Sequence, residues 1–103
     1  MTAKLTGKQC RYLRGLGHHL QPVVMIGKDG ISSNLTNAVE EALEKHELIK
    51  LRLQEGCMLE RREAADLLAA GCNAAVAQIL GNTILLYRPS EENLITLPTA
   101  AGN

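Results

Sequence analysis

The residues in this sequence best suited to chemistry are four consecutive ones, Gly27-Lys28-Asp29-Gly30, which follow a short apolar segment. Two glycines let the backbone turn without a Cβ and allow another backbone to approach closely. The amphipathic segment after them predicts a helix, whose first N–H groups and dipole favour an anion. Lys28 adds a mobile cation at the tip of the loop. The pattern therefore predicts a clamp for a phosphate-bearing chain.

The same loop also has a purely structural interpretation. Turns between a strand and a helix carry glycine for geometry alone, and Asp29 either opposes an anion or caps the turn. A nucleotide-hydrolysing phosphate loop is excluded, because Lys28 is not followed by Ser or Thr and the loop is too short.

Basic residues are concentrated at the start of the chain, although the formal net charge is zero. Residues 1–28 carry five Lys or Arg and no acid, whereas residues 29–103 carry six Lys or Arg and eleven acids. Lys8, Arg11 and Arg14 recur at every third position, which places them along one flank of a predicted helix. This asymmetry indicates a directed positive surface, and ordinary solvation of helix surfaces is the alternative.

Composition excludes several classes of protein. Apolar residues make up 46% of the 103 residues, enough for one folded domain. No apolar run approaches the ~20 residues of a membrane span, and no secretory signal follows Met1. We therefore expect a soluble, cytoplasmic protein. Three widely spaced cysteines without a Cys-x-x-Cys pair predict free thiols rather than disulfides or a zinc site.

Residue patterns for catalysis are also missing from the sequence. His46-Glu47 begins like a zinc-protease motif, but Lys50 stands where the second histidine belongs. The few histidines and cysteines are too scattered to define a nucleophile and its base. Tyr12 and Tyr87 are the only aromatic residues, too few for a sheet that stacks bases. We expect no enzyme, metal or cofactor, and contacts to nucleic acid would reach phosphate and ribose.

The elements that must position these residues alternate along the chain. Thr6 and Gln9 predict a capping box and a first helix that stops near Gly15–Gly17. A strand over Val23–Ile26 and a helix capped by Ser32, Ser33 or Asn34 are predicted next. They are followed by a strand over Leu48–Leu53, with Lys50 and Arg52 on one face, and by a helix from about Leu59 to Ala70 that Gly71 ends. The last two predicted strands, over Ala74–Ile79 and Thr83–Tyr87, are joined by a Gly81-Asn82 hairpin.

The order αβαβαββ predicts an α/β fold with a four-stranded mixed sheet flanked by helices. The first and fourth strands are apolar on both faces, so we expect them at the centre of the sheet. We expect the first helix on the face opposite the other two helices. Residues 1–97 form the predicted domain, and 98–103 a flexible tail. The chain is predicted to loosen from Arg88-Pro89 onward, with Leu94–Leu97 as a candidate edge segment.

Five segments carry a family resemblance. They are Leu5-Thr6-Gly7-Lys8-Gln9, Pro22-Val23-Val24, Gly27-Lys28-Asp29-Gly30, His46-Glu47-Leu48-Ile49-Lys50 and Leu85-Leu86-Tyr87-Arg88-Pro89-Ser90. Over about residues 5–97 the chain resembles the YhbY family, bacterial single-domain versions of the chloroplast RNA splicing and ribosome maturation (CRM) domain. The resemblance implies a fold similar to the C-terminal domain of translation initiation factor three, RNA binding, and association with precursors of the large ribosomal subunit (pre-50S particles).

The resemblance also implies where RNA binds. The RNA-binding residues it suggests are Gly27, Lys28, Asp29 and Gly30 of the loop, and Lys8, Arg11 and Arg14 of the first helix. With Lys28 on a phosphate, we expect the N–H groups around Gly30 and Ile31 to hold the same or a neighbouring phosphate oxygen. Lys50, Arg52 and Arg88 are further candidates, for which the alternative role is solubility. Cys10 and Asn82 depart from the family, which often has a basic residue at each position.

The sequence thus favours a monomeric, non-enzymatic RNA-binding protein of large-subunit assembly, with ribosomal RNA and possible ribosomal proteins as partners. Two alternatives stay open. One is a protein–protein module that docks on ribosomal proteins through the acidic C-terminal half. The other is an intron-splicing cofactor, which the resemblance to plant proteins suggests.

Overall fold

Helices and strands alternate in the predicted order αβαβαββ within residues 5–98, the part of the chain that the computed structural model describes. The elements are α1 (Gly7–Gly17), β1 (Pro22–Ile26), α2 (Ser33–His46), β2 (Leu48–Leu53), α3 (Arg61–Cys72), β3 (Ala75–Leu80) and β4 (Thr83–Tyr87). The predicted fold class is confirmed.

A local signal explains where α1 begins, but the predicted end of α3 is wrong. The Thr6 hydroxyl accepts from the Gln9 N–H at 3.1 Å, and the Gln9 side chain accepts from the Thr6 N–H, which completes the capping box. α3 runs through the predicted end at Gly71 to Cys72, and Asn73 takes the left-handed position (φ 54°) that terminates it. Asparagine tolerates this conformation, so a glycine is not required there.

The strands form one mixed sheet in the order β1-β2-β4-β3. β1 and β2 are parallel, and the other two pairs are antiparallel. The prediction that β1 is central is wrong, because β1 lies at an edge and exposes 53% of Val23 and 48% of Met25. An apolar run in sequence does not reveal which strand receives hydrogen bonds on both sides. That position belongs to β2 and β4.

Two apolar clusters lie on opposite faces of the sheet, as predicted. The larger cluster fills the space between the sheet and α2 and α3, and the smaller one packs Leu13 of α1 against Leu85 and its neighbours. α1 comes very close to the sheet at Gly17, where an added Cβ would lie 2.8 Å from both methyl groups of Leu85. A side chain at this position would therefore require the Leu85 side chain or the helix to shift.

The segment after β4 packs back onto the domain instead of forming the predicted loose extension. Ile95 and Leu97 pack against the smaller cluster, and the Gln9 amide donates to the Pro98 carbonyl at 3.0 Å. Within residues 88–98 there is no strand, so the edge segment predicted over Leu94–Leu97 is wrong. Residues 99–103 of the predicted tail, like Lys4 of the basic N-terminal segment, lie outside the described residues.

Candidate functional site

The Gly-Lys-Asp-Gly loop is a tight turn at the end of β1. The Gly30 N–H donates to the Gly27 carbonyl at 3.0 Å, and Gly30 has a φ of 69°. A glycine at this fourth position costs no strain, whereas a side chain at this φ would be strained. Lys28 and Asp29 form the exposed tip of the turn. The geometry presents one cation and one anion to solvent.

The turn and α2 are separated by two residues, which changes the predicted set of donors. The Gly30 N–H is used inside the turn, so it is not available to an external anion. α2 begins at Ser33, and the Ser32 hydroxyl accepts from the Leu35 N–H at 3.1 Å. The N–H groups of Ser33 and Asn34 precede the first intrahelical donor and point toward the N-terminal end of the helix. The predicted donor Gly30 is therefore excluded. The N–H of Ile31, the other predicted donor, makes no hydrogen bond within residues 5–98 and stays a candidate beside those of Ser33 and Asn34.

The helix and strands that build the α1 face contain basic but no acidic residues. α1 and the four strands contain no acidic residue, while α2 and α3 contain five. The basic residues of α1 and the strands are Lys8, Arg11, Arg14, Lys50 and Arg52. Alternation along β2 directs Lys50 and Arg52 to the same face as Leu48, which belongs to the cluster beneath α1. The charge asymmetry along the sequence therefore corresponds to two faces of the sheet, one with the basic residues of α1 and β2 and one with the acids of α2 and α3.

Three of these basic residues surround one groove. Arg11, Arg14 and Lys50 line a cavity of about 360 Å³ between α1 and the β3–β4 hairpin, together with Gln78 and Leu80. Neither arginine forms an ion pair within residues 5–98, so both guanidinium groups keep their donors for an external partner. The groove brings together residues that lie far apart in sequence.

The turn and the groove are joined by the uncovered part of the same face. In the register of the sheet Arg52 stands between Met25 and Thr83, at the end of the sheet from which the Gly27–Gly30 turn emerges. α1 packs on β2, β3 and β4, leaving the β1 side of this face open. Arg52 thus lies between the groove, which Lys50 lines, at one side and Lys28 at the other. Lys8 lies one helical turn before Arg11 and is half-buried.

Arg88 is placed apart from all other predicted site residues. Its guanidinium donates to Glu40 at 2.7 Å, to the Cys72 carbonyl at 2.8 Å and to Glu44 at 3.2 Å, and its side chain is only 15% exposed. These contacts tie α2 to the C-terminal end of α3, on the face opposite α1. The sequence could not separate Arg88 from Arg52, because its partners lie at least 16 residues away.

Glu47 is a buried carboxylate whose role no sequence pattern indicated. It is fully buried, has a φ of 64°, and accepts from the N–H groups of Ser90 (3.0 Å), Leu94 (2.8 Å) and Ile95 (3.0 Å), as well as from the Ser90 hydroxyl. Burial acts to raise the pKa of Glu47, but these hydrogen bonds outweigh it and hold the pKa below its ordinary value. The carboxylate fastens the segment after β4 to the domain.

Other kinds of site find little support in the described part of the chain. Residues 5–98 contain no group of three His, Cys, Asp or Glu side chains that could hold a metal ion. The three cysteines are free thiols, with Cys72 buried. Among the same residues no helix has the length and apolar character needed to cross a membrane.

Comparison with known proteins matches the chain to one family. The family model for the CRS1/YhbY (CRM) domain matches residues 5–88. YqeI of Bacillus subtilis, named a probable RNA-binding protein, is 43% identical over 89 residues, covering 86% of this chain and 93% of YqeI. A Haemophilus influenzae protein named an RNA-binding protein is 39% identical over 94 residues, covering 91% of this chain and 95% of the relative.

A solved structure has the same fold. The solution structure of SAV1595, a hypothetical protein of Staphylococcus aureus described as a candidate for RNA binding, superposes with a TM-score of 0.80 at 40% sequence identity. The match covers 91% of this chain and 99% of SAV1595. Because both chains are covered almost completely, the likeness extends to the whole domain.

Proposed function

The chain belongs to the CRS1/YhbY (CRM) domain family, and we propose that it binds RNA through the Gly27–Gly30 turn and the basic face beneath α1. The observation that carries this proposal is the absence of acidic residues from α1 and from all four strands. A polyanion that follows α1 and the strands meets no like charge on them, although Asp29 stands beside Lys28 at the tip of the turn. The phosphates of RNA supply most of the affinity in contacts of this kind. The names of the relatives, which refer to RNA binding, support the same proposal.

In this proposal one RNA strand runs from the turn across the open part of the sheet. Lys28 contacts a phosphate, and the N–H groups of Ser33 and Asn34 face a neighbouring phosphate oxygen. Arg52 and Lys50 continue the track toward α1. With only two tyrosines, base stacking contributes little, so the protein follows the path of the backbone more than the sequence of the strand.

We further propose that the RNA is ribosomal RNA in precursors of the large ribosomal subunit, and that the protein acts as a cytoplasmic, monomeric and non-enzymatic assembly factor. The resemblance to the YhbY family motivates this finer assignment. The chief alternative is a module that docks on a ribosomal protein through its acidic surface. Arg88 already neutralises part of that surface, because Glu40 and Glu44 pair with it. An intron-splicing cofactor is the second alternative.

The contact between Lys28 and phosphate is tested with Lys28→Ala. Removing this cation should weaken binding to every RNA several-fold and reduce the log–log salt slope by roughly one unit or less, because about one counterion fewer is released. Titrations of labelled single-stranded RNA at four salt concentrations provide the measurement.

The matched control is Lys45→Ala. Lys45 is an exposed lysine in the last turn of α2, on the face away from α1, and its loss removes the same charge from the protein. The control should leave the slope unchanged. If Lys28→Ala binds RNA like the wild type, Lys28 is not part of the interface.

The ribosomal assignment is tested by sedimentation of the tagged protein in a cell extract. Co-migration with large-subunit precursors that is lost after ribonuclease treatment supports it. Binding that survives ribonuclease and is lost on changing Glu41 or Glu63, which are exposed acids of α2 and α3, instead establishes the protein-docking alternative. Recovery of intron RNA rather than ribosomal RNA establishes the splicing alternative.

A further inference from the structure

We infer that the groove between α1 and the β3–β4 hairpin holds one unstacked nucleotide of the bound RNA, with Gln78 against its base. This inference rests on the proposed function and adds a base-reading subsite to an interface otherwise made of backbone contacts. The groove measures about 360 Å³, within the ~300–1,000 Å³ range of clefts that hold small ligands.

The shape of the groove comes from two glycines of α1. Gly17 lets the helix approach β4 closely, so that Leu85 forms part of the floor. Gly15 lines the groove one half-turn earlier, and a Cβ built there meets nothing within 4 Å. Glycine at these positions leaves a space beside the helix that a longer side chain would fill, and this space is open to a planar group from outside.

The two sides of the groove differ in chemistry, as a nucleotide requires. Arg11, Arg14 and Lys50 supply cations for the phosphate at its rim. Leu80 is 65% exposed and supplies an apolar surface on the hairpin side, where a base can lie. A free phosphate would contact only the cations and leave the apolar side of the groove exposed to water. The presence of cations and an apolar surface in one groove therefore favours a complete nucleotide.

Gln78 is the polar group placed to read the base. Its side-chain amide offers both a donor and acceptor sites, and it makes no hydrogen bond with residues 5–98. A bulge between Val76 and Gln78 pairs Gln78 with Leu85, which directs the side chain to the α1 face instead of the larger core. Glutamine can bond a base edge that carries an adjacent donor and acceptor, as adenine does.

The groove is tested by filling it with Gly15→Leu. No charge is removed and the open helical position accepts the side chain, so the fold and the salt slope should persist. We expect the affinity for the RNA octamers rA8, rC8 and rU8 to fall about five- to tenfold. The matched control is Gly71→Leu, an equally open helical position on α3, which should leave these affinities within about twofold of the wild type.

The role of Gln78 is tested separately with Gln78→Leu, which keeps the size of the side chain and removes its hydrogen bonds. We expect the ratios between the dissociation constants of the three octamers to change by about fivefold, whereas Arg14→Ala should weaken all three octamers by one common factor. Equal changes for all three octamers in Gln78→Leu, or none, overturn the assignment of Gln78.

The outcomes separate this inference from the proposed function. If Lys28→Ala weakens octamer binding and Gly15→Leu does not, RNA binding stands and the nucleotide groove is rejected. If the wild-type protein binds no octamer at any salt concentration, the proposed function itself fails and the groove with it. Weakening by Gly15→Leu together with an unaffected Gly71→Leu control supports the groove.

Discussion

The arginines in two regions of this molecule are used in opposite ways. On the α1 face, Arg11 and Arg14 line an open groove without an ion pair among residues 5–98. At the far corner, Arg88 is almost enclosed by two carboxylates and a helix carbonyl. The positive charges of Arg11 and Arg14 are thus available to a partner. The charge of Arg88 is neutralised by carboxylates of the same chain.

Acidic neighbours explain this difference. α2 places Glu40 and Glu44 one turn apart, where both reach Arg88, and Glu47 follows α2 beneath the segment after β4. α1 has no acid to offer its own arginines. A basic residue is therefore a candidate for binding a polyanion only when the fold has left it without a carboxylate partner.

The largest effect on stability should come from Glu47→Ala, which removes the carboxylate that holds the segment after β4. Three N–H groups and the Ser90 hydroxyl, in part-buried hydrogen bonds, lose their acceptor, and a buried group left unsatisfied costs about 1–3 kcal/mol. We expect the free energy of unfolding to fall by about 3–5 kcal/mol, measured by urea denaturation. Glu44→Ala, which removes an exposed acid of the same corner, should cost less than about 1 kcal/mol. Equal costs would contradict the role of Glu47 as an anchor.

Arg88→Met should have an intermediate effect on stability and little effect on RNA binding. The Cys72 carbonyl and Glu40 lose charged hydrogen bonds in a partly exposed setting, which we expect to lower the free energy of unfolding by about 1–3 kcal/mol. Arg14→Ala is the mirror control: RNA affinity should fall several-fold while stability changes by no more than about 0.5 kcal/mol. A loss of affinity in Arg88→Met equal to that in Arg14→Ala would end the distinction between the two regions.

The smallest and most gradual effect should be the loss of stability at low pH that follows from protonation of Glu47. Hydrogen bonds hold the pKa of Glu47 in the folded protein below its ordinary value, so the unfolded chain takes up the proton first. The stability from Glu47 is fully present above about pH 4.3, the ordinary glutamate pKa, and is lost as the pH falls through the folded pKa. Thermal melts between pH 3 and pH 6 should show a steeper decline for the wild type than for Glu47→Gln. Parallel curves would exclude Glu47 as the cause.

Local signals in the sequence predicted the elements and the turn because their causes lie within a few residues. The Thr6 capping box, the Ser32 cap and the Gly81-Asn82 hairpin all depend on neighbours no more than four positions away. Local signals failed at the end of α3, where two nearby residues can both end a helix. Glycine is the more common choice, but Asn73 instead of Gly71 ends α3.

Long-range pairing decided what local patterns left open. The edge position of β1 follows from β4 entering the sheet beside β2, and an apolar run carries no mark of that choice. The role of Arg88 depends on partners in α2 and α3, and the direction of Gln78 depends on a bulge opposite β4. None of these follows from periodicity.

By itself, the amino-acid sequence determined the order of the elements, the Gly27–Gly30 turn and the separation of positive from negative charge along the chain. Periodicity, capping and glycine content act locally, so they can be evaluated before the chain folds. Only the tertiary structure decided that the cations of α1 share one face with Lys50 and Arg52, that Arg88 is held by ion pairs within the fold, and that Glu47 is buried. These outcomes depend on which distant groups meet, because a charge is neutralised or left available by its neighbours in space.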